Sequence, residues 1–187
     1  MILKSHHATW AEYDHLVRSG VLENSPFKVE LIRGEIVEVN PSGPVHDDYV
    51  LYLTNWSSDS RDKQRTHITS QTGVDMPEID SRPEPDVFWV RRARYRGGHP
   101  KAQDVQLAIE VADSSLTKDF EIKRRMYAEV GIVEYWIVDC QSRSVHVLRD
   151  PQGDDYRSHQ IFASKDVISP LIEPNAVLNL SDLFDGN

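Results

Sequence analysis

Only one of the 187 residues is a cysteine, Cys140, so no disulfide can close within the chain. That scarcity excludes a disulfide-stapled secreted scaffold and makes a reducing cytoplasm the expected compartment. Long hydrophobic runs are missing as well. The longest apolar stretches, residues 107–112 with Glu110 inside and residues 135–138, are of strand length. A membrane-spanning helix needs about 20 apolar residues, so no membrane partner is expected. The opening Met-Ile-Leu-Lys-Ser-His-His has no apolar core of a secretory signal. Excess positive charge is also lacking: 21 Lys and Arg stand against 30 Asp and Glu, a formal charge of −9. A general nucleic-acid coat needs the opposite sign. Serine catalysis finds no Gly-X-Ser-X-Gly turn, and neither a Gly-rich phosphate loop nor zinc-ligand spacing occurs. No helix-turn-helix or zinc module offers sequence readout. The one cysteine follows Asp139 at an expected strand end, where a structural role is expected of it.

What is present reads as one folded domain over residues 1–187. No repeat, low-complexity tract or linker divides the chain, and its length suffices to bury a core. Thr9-Trp10-Ala11-Glu12 is a capping box, opening a helix to about Arg18 that Gly20 ends. Residues 29–39 alternate around Arg33-Gly34 and predict a hairpin. After the loop of residues 41–44 a second helix carries Tyr49, Tyr52, Leu53 and Trp56 on one stripe. A strand is expected over residues 67–76. Pro83-Glu84-Pro85 then excludes helix interior. Residues 87–90 and 106–112 lack alternation, as strands covered on both faces do. A helix ending at Gly131 follows, then a hairpin of residues 134–139 and 144–149, and a short capped turn near residues 181–184. Strands wrapped by helices give an α/β or α+β fold with a mixed sheet.

One residue on the helix before Gly131 is out of place. At the helical period Phe120, Ile122, Met126, Tyr127 and Val130 fall on one side, and Lys123 lies near the centre of that stripe. A buried ammonium is costly unless paired or hydrogen-bonded, so an anion is expected beside it. Two upstream carboxylates are candidates. Asp86 sits at the mouth of one buried strand, and Glu110 is embedded in Leu107-Ala108-Ile109-Glu110-Val111-Ala112. By the strand period Glu110 shares a face with Ala108 and Ala112, which leave room beside its carboxylate. Magnesium or manganese would compensate such carboxylates, since hard cations take oxygen ligands and commonly combine one or two protein carboxylates with phosphate and water.

The three residues suggest a phosphodiester-cleaving site. The alternative is a buried ion pair of Glu110 with Lys123 that serves the fold alone. Such a pair leaves Asp86 without a use, while a metal site uses all three. Arg91, Arg92, Arg94, Arg96 and Lys101 follow Asp86 with no acid among residues 91–101, which suits a phosphate-bearing ligand such as DNA.

Pro-Asp followed by Glu-X-Lys on adjacent strands is the signature of the PD-(D/E)XK nuclease superfamily. Pro85-Asp86 and Glu110 match it, while Ala112 stands where its lysine would be. More closely, the chain resembles the Uma family, described as putative restriction endonucleases. The resemblance rests on residues 29–37, Pro85-Asp86-Val87, residues 107–111 and residues 119–139, and covers about residues 9–184. It implies a restriction-endonuclease-like mixed sheet flanked by helices, and a lysine moved to the helix after the Glu strand, where Lys123 stands. The family's Ser-Pro-Ser-Thr is here Asp113-Ser114-Ser115-Leu116-Thr117. The resemblance further implies a metal-dependent DNA endonuclease, with Mg2+ or Mn2+ on Asp86, Glu110 and the Val111 carbonyl. Glu30 matches an acidic position near the metal, and is otherwise a charge on a hairpin. His46 stands where the family tends to carry a histidine, and is otherwise a surface residue at a helix start. Arg91, Arg92 and Arg94 would contact DNA phosphates. Cutting both strands with one site per chain would favour a two-fold homodimer. The rival expectation is a non-catalytic module that keeps the fold for binding protein or DNA.

Overall fold

The structure, a computed structural model, describes residues 7–39, 41–113 and 119–186, without the side chains of Asn24 and Asp119. Helix α1 (Trp10–Arg18) starts as its capping box dictates: the Glu12 amide donates to Thr9 Oγ1 and the Thr9 amide to Glu12 Oε2. A hairpin of β1 (Lys28–Ile32) and β2 (Glu35–Val39) follows. Arg33 and Gly34, the two turn residues, have φ of 49° and 78°. Paired positive φ is the mirror-image turn that matches strand twist. Helix α2 (Pro44–Ser60) has Pro44 in its first turn, where a missing amide costs nothing.

The main sheet has six strands in the order β3-β4-β5-β6-β7-β8. They are β3 (Thr66–Thr69), β4 (Val87–Arg91), β5 (Val105–Ala112), β6 (Glu134–Asp139), β7 (Ser144–Gln152) and β8 (Asp155–Ala163). Only β5 and β6 pair in parallel; every other neighbour is antiparallel. A parallel pair requires a crossover. Here the crossover carries a π-helical turn, Asp119–Lys123, running into α3 (Arg124–Glu129). The sheet's internal order therefore places Lys123 over the strand that bears Glu110. Gly131, at φ 78°, ends the crossover helix in the left-handed cap that glycine adopts without cost. A two-stranded pair, β9 (Val167–Ile168) with β10 (Leu178–Asn179), and α4 (Leu180–Asp185) complete the chain.

Both faces of the sheet are covered, which explains strands without alternation. On one face Trp89, Ile109, Val111 and Trp136 pack with Val50 and Leu53 of α2 and Leu183 of α4. On the other Phe88, Ala108, Ala112 and Tyr135 pack with Met126 and Tyr127 of α3. Burying a side chain of this size contributes roughly 1.5–3 kcal/mol, so the covered central strands carry much of the core's stabilisation.

Four sequence expectations need correction. The strand expected over residues 67–76 stops at Thr69, because Gln71 takes φ 48° and the chain turns away. Strand β8 was not expected at all; its edge position leaves most of its side chains exposed, so no clean alternation marks it. Ile122 is 39% exposed rather than part of the buried stripe. The i→i+5 turn at Asp119–Lys123 breaks the ordinary helical period there. The turn near residues 181–184 is a helix from Leu180, with Asn179 as its N-cap and no side-chain cap bond. Among the described residues no helix is long and apolar enough to cross a membrane.

Candidate active site

Strand register builds the site. Val87 pairs with Ile109 across β4 and β5, and the same antiparallel register, continued one residue, sets Asp86 opposite Glu110. Pro85 fixes the approach to β4, and the Gln71 amide donates to its carbonyl at 3.0 Å. Asp86 Oδ2 accepts the Val111 amide at 2.8 Å and lies 3.2 Å from His46 Nε2, on the first turn of α2. Burial alone would push the Asp86 carboxyl up. His46, the charge of Lys123 and the Val111 amide outweigh it and hold the group below the usual carboxylate value. The same contact to Asp86 raises His46 above its ordinary value against the effect of its own burial. The two therefore tend to an imidazolium–carboxylate pair.

Lys123 is buried, at 6% exposure, and its Nζ donates to Glu110 Oε1 at 2.7 Å. Tyr127, one turn further along the crossover, donates its hydroxyl to the same oxygen at 2.8 Å. Burial, then the Glu110 charge, raises the Tyr127 phenol well above 10, so it stays a donor. Sequence reasoning missed this role, because an aromatic on an apolar helix stripe reads as core. Glu30 of β1 closes the group. It is 3% exposed, its Oε1 accepts the Glu84 amide at 3.1 Å, and its Oε2 has no partner among the described residues. A buried carboxylate oxygen without a partner is costly.

Asp86, Glu110, Lys123, Glu30, His46 and Val111 all line one cleft of about 570 Å³. Lys123 is buried against Glu110 rather than turned to bulk solvent. Arg91, Arg92 and Arg94 are not brought there. Arg91 ends β4 at its far end and the other two lie beyond it, where Arg92 Nη1 instead donates to the Lys63 carbonyl at 2.6 Å. Cys140 is buried, and burial with nearby Asp113 and Asp139 pushes its thiol up to about 12, which suits a structural role.

Among the described residues no three His, Cys, Asp or Glu side chains are gathered closely enough to cage a metal by themselves. The donor set does fit magnesium or manganese. Those ions use one or two carboxylates and complete their shell with water and phosphate, and the unpartnered Glu30 Oε2 leaves an acceptor in the cleft wall.

Comparison with known proteins agrees with this architecture. A family model described as "Uma2: Putative restriction endonuclease" matches residues 10–181. The crystal structure of a putative nuclease belonging to DUF820, from Anabaena variabilis ATCC 29413, superposes with a TM-score of 0.73. The two chains are 19% identical, and the match covers 95% of this chain and 97% of that one. At that identity the likeness establishes the shared fold. No curated protein matches the chain.

Proposed function

Since the match over residues 10–181 makes this chain a member of the Uma2 family of putative restriction endonucleases, we propose that it is a divalent-metal-dependent endonuclease cleaving DNA phosphodiester bonds in the Asp86 cleft. One observation carries the reading: two carboxylates from adjacent strands, a buried lysine and a buried glutamate with an unpartnered oxygen line the same cleft. Asp86, Glu110 and the Val111 carbonyl would hold Mg2+ or Mn2+. Such an ion, once bound, supplies Lewis-acid polarisation of a phosphoryl oxygen and a lowered pKa for water.

The chain's own groups account for the remainder. Lys123 Nζ, fixed by Glu110, presents a positive charge that stabilises charge developing on the phosphoryl oxygens and orients the attacking water. Hydrolysis adds that water to phosphorus, breaks one P–O ester bond and leaves a proton to be taken up by the departing oxygen. Tyr127 fixes the Glu110 carboxylate. His46 holds Asp86 ionised, and Glu30 would complete the outer shell around the ion. Arg91, Arg92 and Arg94 would meet phosphates only outside the cleft, and their role is to position a long duplex. A homodimer would bring two such clefts to the two strands.

The direct Lys123–Glu110 bond also suits the second reading, a non-catalytic module in which the pair is a strut. Nicking of supercoiled plasmid by wild type, Asp86→Ala and Lys123→Ala separates the two. The nuclease reading expects metal-dependent nicking that each substitution lowers by about a hundredfold or more. It fails if purified protein cuts no supercoiled, linear, single-stranded or branched DNA, or if the variants cut as wild type does.

A further inference from the structure

The basic segment of residues 91–101 has no place in the Asp86 cleft, yet part of it walls a second cavity of about 530 Å³. His67 and Thr69 of the edge strand β3, with Val90 of β4, line this cavity from the sheet. Val17 and Arg18 of α1 line it as well, together with the loop Tyr95-Arg96-Gly97-Gly98-His99.

Its charge is positive. Arg18, Arg82 and Arg96 line it against one carboxylate, Asp14, which Arg18 Nε and Arg82 Nη2 already engage at 2.6 and 2.7 Å. Arg82 is the unusual member. It is 3% exposed, its Nε donates to Asp75 Oδ1 at 2.6 Å, and its Nη1 has no partner among the described residues. Two acids and the rings of Trp10 and Tyr13 hold this guanidinium in place, and a buried donor left unpaired is a cost that a bound acceptor would remove. A Cβ on Gly73 would sit 3.0 Å from the Arg82 stem and 3.4 Å from His99 Nδ1. The bare backbone there lets Arg82 and His99 approach the same wall.

The cavity also has apolar lining. Val17, Val90 and Tyr95 contribute it, and the Tyr95 hydroxyl is tied to the Arg91 carbonyl at 2.7 Å. Guanidiniums arranged beside an aromatic and two valines, in a space the size of a small-ligand pocket, match a nucleotide better than a bare anion: phosphate on the arginines, base on the apolar side.

We propose that this second cavity is a nucleotide-phosphate site, taking one nucleotide with its phosphate against Arg96, Arg82 and His99 and its base against Tyr95. The segment joining β3 to β4 serves both cavities: Gln71 lines the Asp86 cleft and its neighbour Thr72 lines this one. A strand entering the cleft has a nearby place for a second nucleotide, and a free nucleotide presents the same chemistry.

Binding is measured in EDTA, where no cleavage can occur, so the outcome is independent of the nuclease reading. Deoxyadenosine monophosphate, inorganic phosphate and a short single-stranded oligonucleotide are titrated calorimetrically into wild type, Arg96→Gln and Arg157→Gln. Arg157 is a control on the edge strand β8. Imidazole proton resonances report where the ligand sits. The expected result is saturable binding of the mononucleotide, tighter than inorganic phosphate, that moves the His67 and His99 signals. Arg96→Gln, an exposed residue whose loss should not unfold the chain, weakens it about tenfold, and Arg157→Gln does not. Tighter binding of the oligonucleotide marks a strand-borne nucleotide, and equal binding a free one. The proposal is overturned if none of the three binds below about 10 mM, if Arg96→Gln binds as wild type, or if the shifts are confined to His46 in the other cleft.

Discussion

Glu110 and Glu134 are buried glutamates on the two parallel neighbours β5 and β6, each bonded to a basic side chain, yet their surroundings differ. Glu134 is enclosed on all sides. Its Oε1 accepts Trp136 Nε1 at 2.9 Å and Arg149 Nε and Nη2 at 2.8 and 2.6 Å, and its Oε2 accepts the Leu171 amide at 2.7 Å. Those bonds tie the start of β6 to β7 and to the loop between β9 and β10. Glu110 lines the wall of a cleft, with Lys123 and Tyr127 meeting at its Oε1, Asp86 across the strand pair and Glu30 beyond. A buried ion pair alone is therefore no sign of chemistry, since the described residues hold such pairs in quite different surroundings. What separates them is the cleft, the second carboxylate, Asp86, at the entry to β4, and a buried acceptor with no partner among the described residues.

Substitutions can break the comparison from the Glu134 side first. Glu134→Ala strips Arg149, Trp136 and the Leu171 amide of their acceptor. Urea unfolding should show a loss of about 3–5 kcal/mol, with nicking per folded molecule within about twofold of wild type. Tyr127→Phe, on the Glu110 side, removes one hydrogen bond. It should cost about 1 kcal/mol and lower the nicking rate several-fold, because Glu110 loses part of its anchoring.

The His46–Asp86 contact gives a pH signature that the Glu134 cluster lacks. His46 is raised above its ordinary 6.5, so its contribution is complete below that value and lost as pH rises through the folded value. Asp86 is lowered from 3.8, so its contribution is present above that value and lost as pH falls through its folded one. The Tm difference between wild type and His46→Gln should be greatest near about pH 5 and close as pH rises well past 7; a difference that grows with pH would contradict the pairing. The smallest effect belongs to Ile122. At 39% exposure beside buried Lys123, Ile122→Ser should shift stability by no more than about 0.5 kcal/mol. A core position would lose several times more.

Much of this was legible in the sequence, for particular reasons. Thr9-Trp10-Ala11-Glu12 and Arg33-Gly34 carry local turn chemistry that does not depend on the remainder of the chain. The apolar runs of β4 and β5, without alternation, read as strands covered on both faces. Lys123 and Glu110 stood out because charge in such surroundings demands a partner. The edge strand β8 was hidden because an exposed edge needs no apolar alternation. The π turn was hidden because nothing in the sequence marks a change of period. The basic run of residues 91–101 was read as one feature. In the fold residues 95–100 wall the second cavity, while Arg91, Arg92 and Arg94 line neither cavity.

The matched pair Glu110→Gln and Glu134→Gln, assayed for plasmid nicking in Mg2+ or Mn2+ at equal folded concentration, puts the central claim to the most direct trial. Glu110→Gln should reduce nicking by about a hundredfold or more, and Glu134→Gln should leave it near wild type. Equal rates in the two variants, or a loss confined to Glu134→Gln, would show that the Asp86–Glu110–Lys123 cleft is not where DNA is cut.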